Sequence, residues 1–172
     1  MNLIACLDVH YADPRAAAAC VVLSSWQASK PEECAVRTID NVLPYEPGAF
    51  YRRELPCLEE ALKALHRVPE ILVVDGYVWL GQGKKGLGAY LFEAIGSLGA
   101  VVGVAKTSFI GAEPVGKVFR GQSRRPLFVS AVGMNLAEAC AHVEEMHGKF
   151  RVPWAISEVD RLAREHNSPR MP

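Results

Sequence analysis

Glu70-Ile71-Leu72-Val73-Val74-Asp75-Gly76 is the stretch whose reading decides the fold. Four consecutive apolar residues end in one carboxylate and a glycine. This is the pattern of a strand buried on both faces that delivers an acid to its carboxyl-terminal edge. The plainer alternative is that Asp75 and Gly76 open a turn, Asp-Gly being a common turn pair. A second stretch of the same design, Leu3-Ile4-Ala5-Cys6-Leu7-Asp8-Val9, favours the functional reading. If the two strands lie side by side and parallel, Asp8 and Asp75 meet, and two buried carboxylates repel unless a cation sits between them.

With 172 residues, half of them apolar, the chain has the material for one globular domain spanning 1–172. A formal net charge of zero argues against a uniformly basic coat for non-specific nucleic-acid binding, but a local basic patch survives a neutral total. The five cysteines are scattered, odd in number and form no Cys-x-x-Cys pair, so they read as small core residues in a reducing compartment. Asp8 and His10 interrupt the apolar amino terminus, and no apolar run reaches the roughly 18 residues of a membrane span. The expectation is a cytoplasmic protein with no membrane partner.

Working outward, Tyr11-Ala12-Asp13-Pro14 predicts a turn. Ala16 to Trp26 reads as a second strand, although its alanine run could equally begin a helix, and 34–43 reads as a third, giving an antiparallel meander. Pro44-Tyr45-Glu46-Pro47-Gly48 predicts an exposed turn. From Pro56 onward, Leu55, Leu58, Leu62 and Leu65 recur at helical spacing. Residues 76–89 hold five glycines and two lysines, Lys84 and Lys85, with no acid after Asp75. This is a loop able to bring backbone amides close to a ligand. A helix over 87–97 precedes the strand Val101–Ala105, which ends at Lys106. Lys117, Arg120, Arg124 and Arg125 fall within nine residues without a carboxylate, on a predicted hairpin returning over 126–132. Asn135 reads as the N-cap of a helix through Ala139, Val143 and Met146, and a last helix runs from Trp154 to Glu165. Strands followed by alternating helix and strand predict an α/β domain with a mixed sheet.

Two acids at adjacent strand ends, a third on a nearby helix and a lysine on another strand suit magnesium-dependent phosphodiester hydrolysis. Hard cations prefer oxygen ligands, and a bound ion neutralises phosphate and acidifies an attacking water. Glu54 and Asp160 are the candidates for further acids. Each has a structural alternative, Glu54 as a first-turn acid favoured by the helix dipole and Asp160 as part of a capping box with Ser157. Lys106, closing a buried strand, must find solvent or an anion.

Taken together, Asp8-Val9-His10-Tyr11, Pro44-Tyr45-Glu46-Pro47-Gly48, Arg53-Glu54-Leu55-Pro56, Val74-Asp75-Gly76 and Gly103-Val104-Ala105-Lys106 resemble the endonuclease V family. The resemblance covers most of the chain. It implies a ribonuclease H-like mixed sheet flanked by helices, magnesium as cofactor with manganese as an alternative, and nicking of nucleic acid near inosine, DNA ahead of RNA. It also implies that Asp8, Glu54 and Asp75 are catalytic metal ligands, with Asp160 a fourth, and that Lys106 stands near the scissile phosphate. Pro44 to Pro47 matches the family's wedge, giving Tyr45 a stacking role. Arg52, Lys84, Lys85, Lys117, Arg120, Arg124 and Arg125 then offer contacts to the nucleic-acid backbone.

The chain departs from the family in two places. Trp79 to Lys85 stands where a His-Pro-Arg triplet is usual, and Gly133-Met134 where a Gly-His pair is usual. Metal chemistry is thus retained while base recognition is expected to change. The competing readings are a binding module of the same fold that does not cut, and a nuclease with a different lesion or RNA specificity.

Overall fold

The computed structural model describes residues 2–97 and 99–167. Strands β1 (Ile4–Ala12), β2 (Arg15–Leu23) and β3 (Glu33–Ile39) form the expected antiparallel meander. Then follow α1 (Phe50–Lys63), β4 (Ile71–Asp75), α2 (Leu87–Ala94), β5 (Ala100–Ala105), β6 (Gly116–Val118), β7 (Leu127–Val132), α3 (Leu136–Glu145) and α4 (Trp154–Asn167). They build one seven-stranded sheet in the order β3-β2-β1-β4-β5-β7-β6. The central β1, β4 and β5 are parallel and the flanking pairs antiparallel, so the mixed sheet is as the sequence predicts.

Strand alternation divides the core in two. Cys6, Val21, Val73 and Val102 face α3 and α4, packing with Val143, Val159 and Ala163. Leu7, Val22, Leu72 and Val74 face α1 and α2, packing with Leu58, Ala61 and Leu91. The alanine run of β2 resolves as strand rather than helix. Ala16 through Leu23 are all buried, and burial between two helical layers overrides alanine's helix propensity.

Helix α1 differs from the expectation. It begins at Phe50 rather than near Pro56, and Pro56 lies inside it. Its buried face is Arg53, Glu54, Cys57, Leu58 and Ala61, rotated from the predicted leucine stripe. Glu54 therefore sits on the inward face one turn before Leu58, and is not a first-turn acid at the helix entrance. Asn135 caps α3 as predicted, its side chain accepting the Ala137 N–H at 2.9 Å.

Gly103, paired with Val74 in β5, ties the sheet to the end of β4. A Cβ there would come within 2.6 Å of the Gly76 carbonyl oxygen and 2.7 Å of Ser130 Oγ. Ser130 is fully buried and accepts the Val78 N–H at 2.9 Å, so neither neighbour can yield cheaply. Gly103→Ala is expected to cost about 1–3 kcal/mol in urea unfolding through overpacking. Unchanged stability would show that Gly76 and Ser130 have room to move.

Candidate active site

The last β1–β4 pair is Leu7 with Val74, so Asp8 and Asp75 are the next residues in register. Both fall on the face of Cys6 and Val73, toward α4. Asp75 ends its strand as predicted. Asp8 does not, because β1 continues to Ala12 against β2 after its parallel neighbour has stopped. Glu54 comes from α1, and Asp160 from α4, where Val159 and Ala163 are anchored in the core. Lys106, just beyond β5, places Nζ 2.7 Å from Asp75 Oδ2.

The acids act on one another electrostatically. Burial, then the charge of Asp75, pushes the Asp8 carboxyl up to about 7, against the opposing hydrogen bond from the Val9 N–H. Glu54, 5% exposed, is pushed up to about 8 by burial, then by Asp8 and Asp75, with Arg53 opposing. Burial also works to raise Asp160, but the Arg164 guanidinium at 2.7 Å outweighs it, helped by Lys106 and Asp8, and the carboxyl ends below its ordinary value. Burial pulls the Lys106 ammonium down, and Asp75 outweighs that in turn. Asp160 thus belongs with the acids. Its carboxylate is held by Arg164, a turn further along α4, rather than by Ser157.

Among the described residues, no three His, Cys, Asp or Glu side chains are drawn together closely enough to hold an ion as they stand. The donor set nevertheless fits a hard divalent cation. It consists of oxygens, the buried Glu54 Oε2 has no hydrogen-bond partner, and the protons favoured on Asp8 and Glu54 answer the same repulsion that a cation would.

A cavity of about 530 Å³ opens beside Asp75, lined by Phe50, Tyr51, Tyr77, Lys84, Lys85 and Tyr90 among others. Tyr45 is 60% exposed between the exposed Pro44 and Pro47, its ring 6.2 Å from Phe50. Arg52 pairs with Glu46 at 3.2 Å and Lys85 with Glu93 at 2.5 Å. Lys117, Arg124 and Arg125 are exposed on β6 and the turn that follows it. Arg120 corrects the expectation. It is buried, and its guanidinium donates to the carbonyls of Glu144, Met146, Gly148, Phe150 and Arg151, so it staples backbone together instead of meeting phosphate.

Two features escape the sequence reading. Arg53 is buried beneath α1, its guanidinium 4.0 Å from the Tyr11 ring centre and paired with Asp13. Its adjacency to Glu54 was the one available signal. Tyr51 and Tyr90 stack across α1 and α2, with centroids 3.6 Å apart and planes 8° apart, and no sequence pattern announces a pair drawn from two elements.

The sequence profile of endonuclease V matches residues 1–117, a span that includes Asp8, Glu54, Asp75 and Lys106. Endonuclease V of Streptomyces avermitilis is 34% identical over 92% of this chain and 77% of its own length. The chain belongs to the endonuclease V family. A crystal structure of endonuclease V from that organism matches with a TM-score of 0.79 and 27% identity over 96% of this chain and 81% of the other. The catalytic domain of human endonuclease V matches at 0.77 and 25% over 96% and 82%. Endonuclease V of Ciona intestinalis, in complex with a 24-mer DNA containing an inosine followed by a ribo-adenosine, matches at 0.79 and 19% over 96% and 85%, a likeness of fold. The sheet is thus ribonuclease H-like, and the chemistry of endonuclease V is that of a nuclease, with a divalent metal implied. No helix among the described residues is long and apolar enough to cross a membrane.

The raised carboxyls give stability a direction with pH. Folded Asp8 and Glu54 bind protons more tightly than they do unfolded, so stabilisation present at low pH is lost as pH rises through about 7 and about 8. Metal-free protein should therefore melt at progressively lower temperature between about pH 5 and pH 8, and Asp8→Asn should flatten that slope. Magnesium or manganese should restore stability at the upper end by binding the folded state. A melting temperature that holds or rises across the window in chelator would contradict the assignment.

Proposed function

We propose that this chain is a magnesium-dependent endonuclease, acting as one domain, that cuts a DNA strand beside a deaminated base, with manganese able to replace magnesium. The observation that carries the reading is the mutual charge effect of Asp8, Glu54 and Asp75 around the end of β4, with the Lys106 ammonium already on Asp75. Asp8, Glu54 and Asp75 would hold the ion, with Asp160 supporting it from α4. When bound, a divalent ion neutralises phosphate charge and lowers the pKa of water. The protons favoured on Asp8 and Glu54 would be displaced when the ion binds. Lys106, whose ammonium lies 2.7 Å from Asp75 Oδ2, would offset the charge of a phosphate bound beside it. The cavity beside Asp75 has the size of a small-molecule site and an aromatic lining suited to a base turned out of the stack. Tyr45, exposed beside Phe50, would stack on the base left unpaired.

Substitution separates the catalytic part from the binding part. Asp75→Asn should abolish magnesium-dependent nicking while leaving affinity for DNA within about 3-fold, because phosphate contacts to basic residues persist. Lys106→Ala should slow cutting less completely, since the ion still activates water. Labelled strands carrying inosine, uracil, an abasic site or a mismatch are the substrates to use. Loss of binding together with cutting, in folded Asp75→Asn protein, would refute the division.

A second expectation concerns the base. Tyr45→Ala should weaken binding to a lesion-bearing duplex by roughly 5- to 150-fold, the range of one lost base stack, and affect single strands less. With Trp79 to Lys85 lacking His-Pro-Arg and Met134 in place of histidine, nicking beside inosine should be weak even with the acids intact. Efficiency equal to that of a relative carrying both motifs would show that these departures are neutral.

A further inference from the structure

Two segments joined by α3 meet next to Lys106. Residues 114–137 carry Lys117, Arg120, Arg124 and Arg125 without a carboxylate, and residues 146–157 carry His147, Lys149 and Arg151, again without one. Arg120 joins them through its bonds to carbonyls between Glu144 and Arg151. Arg151 donates to the carbonyls of Lys106 and, at 2.7 Å, Pro126. These two segments therefore meet at the backbone of the residue whose ammonium holds Asp75.

Phe150 stands on it, 69% exposed. It separates two depressions of about 730 and 450 Å³, the first lined by Val152 and Trp154, the second by Gln122 and Ser123. Lys149 Nζ lies 5.4 Å from its ring centre. A single exposed phenylalanine needs no explanation by itself. This one is presented by backbone that a buried guanidinium fixes, since its own carbonyl accepts from Arg120 at 2.9 Å, and its surroundings are cationic. Aromatic rings on a rigid cationic groove are what single-stranded nucleic acid uses, with bases stacking on the ring and phosphates following the charges. A continuous duplex keeps its base faces stacked on one another and offers such a ring much less.

We infer that Phe150, with Lys149 over its ring and Arg151 lining the same depression, holds a single-stranded stretch of the substrate continuous with the strand being cut. The inference rests on the nuclease reading above. Fluorescence anisotropy of the full chain bearing Asp75→Asn tests it, using labelled single-stranded DNA and a blunt duplex of the same sequence, neither carrying a lesion. Adding Phe150→Ala should weaken single-strand binding roughly 5- to 150-fold and duplex binding by less than about 2-fold. Phe150→Trp should restore the single-strand affinity, and Lys149→Ala should reduce the salt dependence of binding by about one phosphate contact. Single-strand affinity unchanged in Phe150→Ala, or equal losses for both forms, would overturn the inference. Failure of the parent enzyme to nick would instead strike the catalytic reading and leave this binding difference standing.

Discussion

Repulsion between two carboxylates on neighbouring parallel strands is the constraint the rest of the site answers. The β1–β4 register ends at Leu7 and Val74, so Asp8 and Asp75 follow side by side on one face. A slip of one residue would send Asp75 to the opposite face. Both faces of the sheet resist that slip, because Cys6 and Val73 belong to the core under α4 while Leu7 and Val74 belong to the core under α1 and α2. Apolar packing fixes the acids where electrostatics alone would separate them. The compensation is local: the Val9 amide on Asp8, the Lys106 ammonium on Asp75, the Arg164 guanidinium on Asp160, and protons favoured on Asp8 and Glu54.

The features legible in the sequence were those that a single stretch contains. An apolar run ending in one acid identifies a central strand and its functional edge together, which is why β4, Asp75 and the parallel partnership with β1 could be read directly. The proline-rich turn and the Asn135 cap were equally local. Helix α1 was misplaced because Pro56 looked like a start signal. In fact six residues of helix precede it, and the face that matters is set by Glu54, Cys57, Leu58 and Ala61 packing on the sheet. Arg120 was misread for a related reason. A charge in a basic run looks solvent-facing until the fold supplies five carbonyls around it. The Tyr51–Tyr90 stack required knowing that α1 and α2 lie together, which is tertiary information.

The acids and the cavity beside Asp75 are built from different parts of the fold. The acids come from strand register and from the inward faces of α1 and α4, all anchored in the two cores. The cavity wall comes from the loop after β4 and from the first turns of α1 and α2. In that loop Trp79 and Lys85 pair across an isolated antiparallel bridge. Gly86 closes against strand-end backbone so tightly that a Cβ would lie 2.3 Å from the Tyr77 carbonyl oxygen. The region lacking His-Pro-Arg is therefore a built structure. Beside it stand the stacked tyrosines of α1 and α2, with Lys85 5.6 Å from the centre of the Tyr90 ring and paired with Glu93. Side chains of this loop can change without shifting any residue that sets the β1–β4 register. The bridge in the loop and the strand register are thus held by separate contacts, so the loop can diverge while the register keeps Asp8 and Asp75 side by side.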